Sequence, residues 1–278
     1  MKLGFHGATI MPSDLETDVA ATAYAGFKAL ELWAAKVDRY LAGHSLQDLR
    51  ALLEGNGVAP LTLNSIEFIS FRSAEEYAHI RARCRELSQI AQAIGCPTLI
   101  VVPSLTPNRD IAWADVVQEH VRVLRDLSDV AGECGIKLAF EFLGFGWCSV
   151  RTPRGAWEIV SQTGRDNVGL VVDAAHFYTG GGLLSEVDLL DPAYIFAFHL
   201  DDLEDIPKEE ISDARRLLPG LGVVPLGEIC ARLKGIGYDG PCSIELFRPE
   251  YWAWDPNEVA VKARAAASQV LAPHFRLE

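Results

Sequence analysis

Short apolar runs alternate with longer amphipathic stretches along the whole chain. The runs Lys2–His6, Ala29–Trp33, Ala59–Leu63, Thr98–Val102, Ile136–Phe142, Val168–Asp173, Tyr194–Leu200 and Pro241–Leu246 are strand-length and rich in β-branched or aromatic residues, which predicts eight strands. Helical periodicity fills the intervals. Ser13–Ala25 opens with Ser13 as an N-cap and Glu16 three residues on, the capping-box pattern. Ser45–Glu54 stops at Gly55-Asn56-Gly57, Ala74–Ile94 at Gly95, Trp113–Cys134 at Gly135 and Leu226–Lys234 at Gly235. Thr152-Pro153 supplies a cap and a first-turn proline for Pro153–Gln162, and Asn257–Leu271 is the last helix, while Leu183–Leu190 is only weakly helical.

Strands separated by helices pair in parallel through right-handed crossovers. Eight such units close most simply into a (β/α)₈ barrel. The competitor is a doubly wound open sheet, disfavoured because no G-x-G-x-x-G follows the first strand. No Pro/Gly/Ser-rich linker divides the 278 residues, so one barrel domain over 1–278 is expected.

Charge narrows the partners. The formal net charge of −13 would repel a nucleic-acid backbone and suits a soluble protein acting on a neutral or cationic small molecule. The six cysteines form no C-x-x-C pair and lie mostly in apolar contexts, which fits a reducing compartment. Met1-Lys2-Leu3-Gly4-Phe5-His6 runs straight into a strand with no signal-peptide apolar region, and no apolar span is long enough for a membrane; a cytoplasmic protein is expected. Oligomeric state is left open, a homodimer included.

Four of the later runs end in a metal-ligand type of side chain: Glu141, Asp173, His199 and Glu245. A lone acidic residue at a strand end is more often a cap or an ion-pair partner. Three carboxylates and one imidazole at matching ends of successive strands converge on one axis at the face where barrels build their sites. This donor set suits one hard to borderline divalent ion, Mn²⁺ or Zn²⁺ first, with Co²⁺ or Mg²⁺ as alternatives. The earlier strand ends offer His6, Glu31 and Asn64 as isolated polar groups, of which His6 and Glu31 are expected to line the pocket or serve as satisfied structural groups. His176 follows Asp173 by three residues in the loop leaving the metal-bearing strand, and is expected at the site. Trp33, Trp147, Phe247, Tyr251 and Trp252 lie at or just past strand ends and could wall a pocket for the apolar face of a ring, and Arg248 reads as the one well-placed cation.

The runs Phe140-Glu141-Phe142, Val172-Asp173-Ala174-Ala175-His176-Phe177, Phe198-His199-Leu200-Asp201-Asp202 and Ile244-Glu245-Leu246-Phe247-Arg248-Pro249-Glu250-Tyr251 resemble the xylose-isomerase-like barrel family of sugar isomerases and epimerases. The resemblance runs nearly end to end, and the Glu-Leu-Phe-Arg-Pro-Glu-Tyr run looks most like the branch that isomerises inososes in inositol catabolism. It implies one divalent ion held by Glu141, Asp173, His199 and Glu245, with Glu141 and Glu245 also acting as the acid/base pair and His176 contacting a substrate oxygen. Two departures matter. Ketohexose epimerases of the family carry an Arg shortly after the metal histidine, where this chain has Leu203-Glu204-Asp205. The trinuclear zinc endonucleases need further histidines where this chain has Asn64 and Pro103.

The expected reaction moves a carbonyl between adjacent carbons of a cyclic polyol ketone through an enediolate. No nicotinamide is needed, because the oxidation states merely exchange between two carbons. Asp201, Asp202, Glu204 and Asp205, with no basic residue in the immediate stretch, favour a neutral substrate over a sugar phosphate. The alternatives are an epimerase or dehydratase on a related keto-polyol and, from another class, a non-catalytic sugar-binding barrel.

Overall fold

The computed structural model describes residues 1–107 and 110–278. Its parallel strands are β1 (Lys2–His6), β2 (Ala29–Trp33), β3 (Ala59–Ile66), β4 (Thr98–Val101), β5 (Lys137–Glu141), β6 (Val168–Asp173), β7 (Ile195–His199) and, after a short ribbon, β10 (Pro241–Ile244). They close in the order β1-β10-β7-β6-β5-β4-β3-β2, with β1 paired to β10 through Lys2↔Pro241 and Leu3↔Cys242. The expected (β/α)₈ barrel is therefore the observed one. Between β7 and β10 lies an antiparallel ribbon of β8 (Asp202–Leu203) and β9 (Arg216–Leu217), in register Leu203↔Arg216, which the apolar pattern does not show.

Strand parity decides what faces the barrel axis, because successive side chains alternate between faces. Leu138 and Phe140 of β5, Leu170 and Val172 of β6 and Phe198 of β7 join the large core between strands and helices. Ala139, Val171 and Ala197 instead form a smaller buried cluster with Ile100, Val102 and Phe196. Two residues further along the second set stand Glu141, Asp173 and His199, so the same alternation that fills the interior delivers polar groups to its upper end. Gly169 opens space for that filling: a Cβ there would lie 2.6 Å from the Phe196 ring and 2.4 Å from the Tyr194 carbonyl.

The helix after β1 spans Leu15–Tyr24 and is capped by Asp14, whose carboxylate accepts from the Thr17 amide at 2.8 Å, and not by Ser13. Ser13 is drawn elsewhere. Its hydroxyl donates to Asp18 at 2.6 Å, and Asp18 is ion-paired with the buried Lys36 at 2.7 Å. Lys36 also donates to the carbonyls of Gly7 and Ile10, fastening the turn after β1 to the helix Ala34–Leu41 that follows β2.

His120 packs inside. Its Nδ1 lies 2.7 Å from the Val116 carbonyl and its Nε2 2.9 Å from the Ser70 hydroxyl. Burial lowers its pKa to about 4. The folded chain therefore prefers the neutral ring, and its contribution to stability is complete above the unfolded value near 6.5 and lost as pH falls from there to about 4. At about 1.4 kcal/mol per pKa unit, the loss by pH 4 is on the order of 3 kcal/mol. Urea titrations at pH 7 and pH 4 should show His120→Gln losing less stability over this interval than the parent chain; equal losses would remove His120 as the cause.

Candidate metal centre

Glu141, Asp173, His199 and Glu245 are all buried, and each offers a ligand atom within 4.8 Å of every other. His199 arranges them. Its Nδ1 lies 2.9 Å from Glu141 Oε1, 3.2 Å from Glu245 Oε2 and 3.7 Å from Asp173 Oδ2. Asp173 divides its two oxygens: Oδ1 accepts from the His176 amide at 2.6 Å, capping the helix Ala174–Gly180, which leaves Oδ2 for the cluster. Three carboxylates crowded in a buried space repel one another, and a divalent ion suits such a donor set of oxygens and one imidazole nitrogen. The residues present therefore fit the ion that the sequence suggests.

The electrostatics reflect the crowding. Burial, together with Glu245 and Asp173, pushes Glu141 up to about 8 against the pull of His199. Burial would raise Glu245 too, but His199, His6 and Arg216 outweigh it and hold this carboxyl well below its usual range. For His199 the lowering by burial is overcome by Glu31, Glu245 and Glu141, which keep the imidazole well above its ordinary value. Metal binding must displace the proton on Glu141 and the one on His199 Nδ1, so affinity should fall as pH falls, by about tenfold per unit for each proton displaced. Zinc titrations at pH 7, run calorimetrically in buffers of different ionisation enthalpy, should report release of at least one proton. Uptake without proton release would contradict protonation of both Glu141 and His199.

The cluster opens into a cavity of about 200 Å³ whose lining includes Trp33, Asn64, Glu67, Phe68, Glu141, Phe145, Trp147, His176, Asp213, Arg216, Glu245 and Phe247. Aromatic rings wall it. Phe145 and Trp147 stack at 5.3 Å, and Trp33 meets Phe247 edge-on at 5.5 Å. Of the side chains singled out in the sequence, Trp33, Trp147, Phe247 and His176 reach this wall, and Phe68 and Phe145, which no strand-end pattern marks, complete it.

Others are placed differently. His6 is fully buried beneath the cavity, its Nε2 3.3 Å from Glu245 Oε1 and 3.6 Å from Glu31 Oε1. Trp252 donates its indole N–H to the Ala8 carbonyl at 3.1 Å and lies outside the lining, as does Tyr251, whose hydroxyl accepts from the Leu218 amide. Arg248 also lies outside it, held by Glu204 at 2.6 Å and by Glu250. Two carboxylates on one guanidinium leave it little freedom to turn inward.

The cation at the cavity is Arg216, from the ribbon. It is almost wholly buried, and its Nη1 contacts Asp173 Oδ2 at 2.8 Å, Glu245 Oε2 at 3.0 Å and Asp201, while Nη2 reaches Asp213 at 3.0 Å. Nη2 also donates to His176 Nε2 at 3.1 Å, so that nitrogen carries the lone pair; burial holds the His176 pKa down. The acidic stretch after β7 is accordingly not uncompensated. Asp201 is paired with Arg216, and Asp202 accepts from the amides of Leu203, Gly220, Gly222 and Val224. Glu204 pairs with Arg215 as well as Arg248. That stretch therefore gives no ground for a neutral substrate, and the lining takes its place: its one Lys or Arg is Arg216, already claimed by Asp173, Asp201, Asp213 and Glu245.

Comparison with known proteins agrees with the geometry. Residues 19–269 match the xylose isomerase-like TIM barrel family. An inosose isomerase of Halalkalibacterium halodurans is 35% identical over 280 residues, spanning 100% of this chain and 99% of that one. An inosose isomerase of Bacillus subtilis is 33% identical over 279 residues, spanning 100% of both chains. The crystal structure of an IOLI protein with a bound zinc atom superposes with a TM-score of 0.95 at 34% identity, covering 99% of each chain.

Proposed function

Because the chain belongs to the xylose isomerase-like TIM barrel family, we propose that it is an inosose isomerase, moving the carbonyl of 2-keto-myo-inositol to the adjacent carbon to give 1-keto-D-chiro-inositol. The observation that carries this reading is the full-length kinship with inosose isomerases, joined to a buried three-carboxylate, one-imidazole cluster at the foot of an aromatic-walled cavity.

Glu141, Asp173, His199 and Glu245 would hold the ion, with zinc favoured by the related crystal structure and Mn²⁺ the alternative. A divalent ion supplies Lewis-acid stabilisation of the negative charge that develops on the ketone oxygen, a contribution of several kcal/mol. The protein's own groups move the protons. One of Glu141 and Glu245, which both line the cavity, takes the proton from the carbon bearing the neighbouring hydroxyl. The electron pair left behind forms the enediolate. The other glutamate, once protonated from solvent, delivers that proton to the former carbonyl carbon and the first returns its own to solvent, while the hydroxyl proton moves to the former ketone oxygen. Formula and net oxidation state are unchanged, so no nicotinamide enters. Each positioned acid or base contributes roughly 10²–10⁴-fold.

Arg216 and His176 border the same space. The guanidinium is engaged by Asp173, Asp201, Asp213, Glu245 and His176, so its part is to balance their charge, while His176, whose Nε2 accepts from Arg216, has its Nδ1–H as the donor for a substrate hydroxyl. A neutral polyol is supported because the lining has no protein cation to spare for a carboxylated or phosphorylated ring. The aromatic walls shield the enediolate from water and match the apolar face of a six-membered ring.

The direct test is incubation with 2-keto-myo-inositol and Zn²⁺ or Mn²⁺ in deuterated water, followed by NMR. Carbonyl migration with deuterium at the exchanging carbon is the expected result. Loss of water would indicate a dehydratase, inversion without migration an epimerase, and no change with demonstrable binding a sugar-binding barrel.

A further inference from the structure

Glu31 is the middle residue of β2, has no exposed surface and stands behind the residues that line the cavity. Yet polar groups from four other strands converge on it. His199 Nε2 lies 3.1 Å from Oε2 and 3.2 Å from Oε1. The Ser243 hydroxyl donates to Oε2, and the Asn64 amide donates to Oε1 at 3.0 Å. The same Asn64 nitrogen donates to Glu245 Oε1, also at 3.0 Å. His6 is 3.6 Å away.

A second metal among His6, Glu31 and Glu245, whose ligand atoms also lie within 4.8 Å of one another, is ruled out by hydrogen bonding. The Ala8 amide donates to His6 Nδ1 at 2.8 Å, so the ring proton resides on Nε2, the atom an ion would need. His6 therefore points a donor at the two glutamates.

We propose that Glu31 is a positioning residue for the metal centre: it fixes His199 in the tautomer that presents a bare Nδ1 to the ion and, through Asn64, holds Glu245 in place. The reason lies in the two edges of the His199 ring. Three carboxylates face Nδ1 and would, unopposed, draw the ring proton to that nitrogen, where it blocks coordination. A carboxylate at Nε2 draws it the other way. Carboxylate partners on the far nitrogen of metal-bound histidines fix tautomer and ring orientation, and their loss typically lowers metal affinity by about 10–100-fold. The strand ends of the first half of the barrel thus support the ligands carried by the second half.

The inference deepens the isomerase reading but is tested without turnover. Zinc affinity is measured by competition with a chromophoric chelator for the parent chain, Glu31→Gln and Glu31→Asp, each checked for folding by circular dichroism. Glu31→Gln can offer Nε2 an amide donor, and should bind zinc about 10–100-fold more weakly, with Glu31→Asp recovering part of the loss. Gln affinity within twofold of the parent overturns the proposal. If Glu31→Gln does not fold, ¹⁵N NMR of the zinc-loaded parent decides: a proton on His199 Nε2 with zinc on Nδ1 supports it, and zinc on Nε2 overturns it. A parent chain that binds zinc in this manner but leaves inososes unchanged would defeat the isomerase reading and leave Glu31's role intact.

Discussion

Glu245→Gln should convert 2-keto-myo-inositol about 10²–10⁴-fold more slowly than the parent chain, the span expected for removal of a positioned acid or base. The substitution keeps the size of the side chain and one carbonyl oxygen able to face the ion, but it abolishes proton exchange at that position. Metal content must be measured alongside, since Glu245 Oε2 stands 3.2 Å from His199 Nδ1 within the candidate ligand set. The informative result is slow turnover at unchanged metal occupancy, with deuterium incorporation from solvent falling in proportion. Retained turnover would move the proton work to another group. Slow carbonyl migration with undiminished deuteration would limit Glu245 to the second of the two proton transfers.

The largest effect on stability is expected at Arg216. Its guanidinium contacts Asp173, Asp201, Asp213 and Glu245, and all but Asp213 are buried. Arg216→Met removes the charge and keeps much of the apolar stem, leaving the buried acids facing one another. Breaking a buried ion pair from one side costs about 3–5 kcal/mol. Urea denaturation of metal-free protein should show a loss in that range, and less than 1 kcal/mol would mean that the acids simply take up protons. Saturating zinc should narrow the gap, because the ion neutralises two of the same carboxylates. Arg216→Lys should recover only part of the loss, since an ammonium lacks the planar fork that meets several carboxylates and His176 at once.

What could be read from the sequence follows from how local each signal is. The barrel strands and the four acidic or imidazole ends were visible because parity within a short run fixes the direction of a side chain. Ala139 and Glu141, Val171 and Asp173, and Ala197 and His199 are each two residues apart, so a buried apolar residue announces an inward polar one. Arg216 gave no such signal, coming from a two-residue strand in a stretch without period. Arg248 stood closer to a strand end and was preferred to it, but its guanidinium is taken by Glu204 and Glu250. Glu31 shows in the sequence only as an isolated polar residue in an apolar run, because its meaning depends on His199, 168 residues away in sequence. The acidic run after β7 misled for a similar reason. Its partners are amides and arginines brought back by the ribbon turn, and local charge counting cannot see them.

The ribbon carries a consequence for how such an enzyme changes over generations. Its two strands pair with each other and not with the barrel, so their sequence can drift without repacking the closed sheet. The ion-holding residues and the guanidinium over the cavity are thus encoded on separable stretches of chain. A descendant could exchange its grip on the substrate while inheriting the proton chemistry, provided that the new ribbon still balances the charge of Asp173, Asp201 and Glu245. That charge balance, more than the shape of the barrel, limits which ribbons can be grafted there.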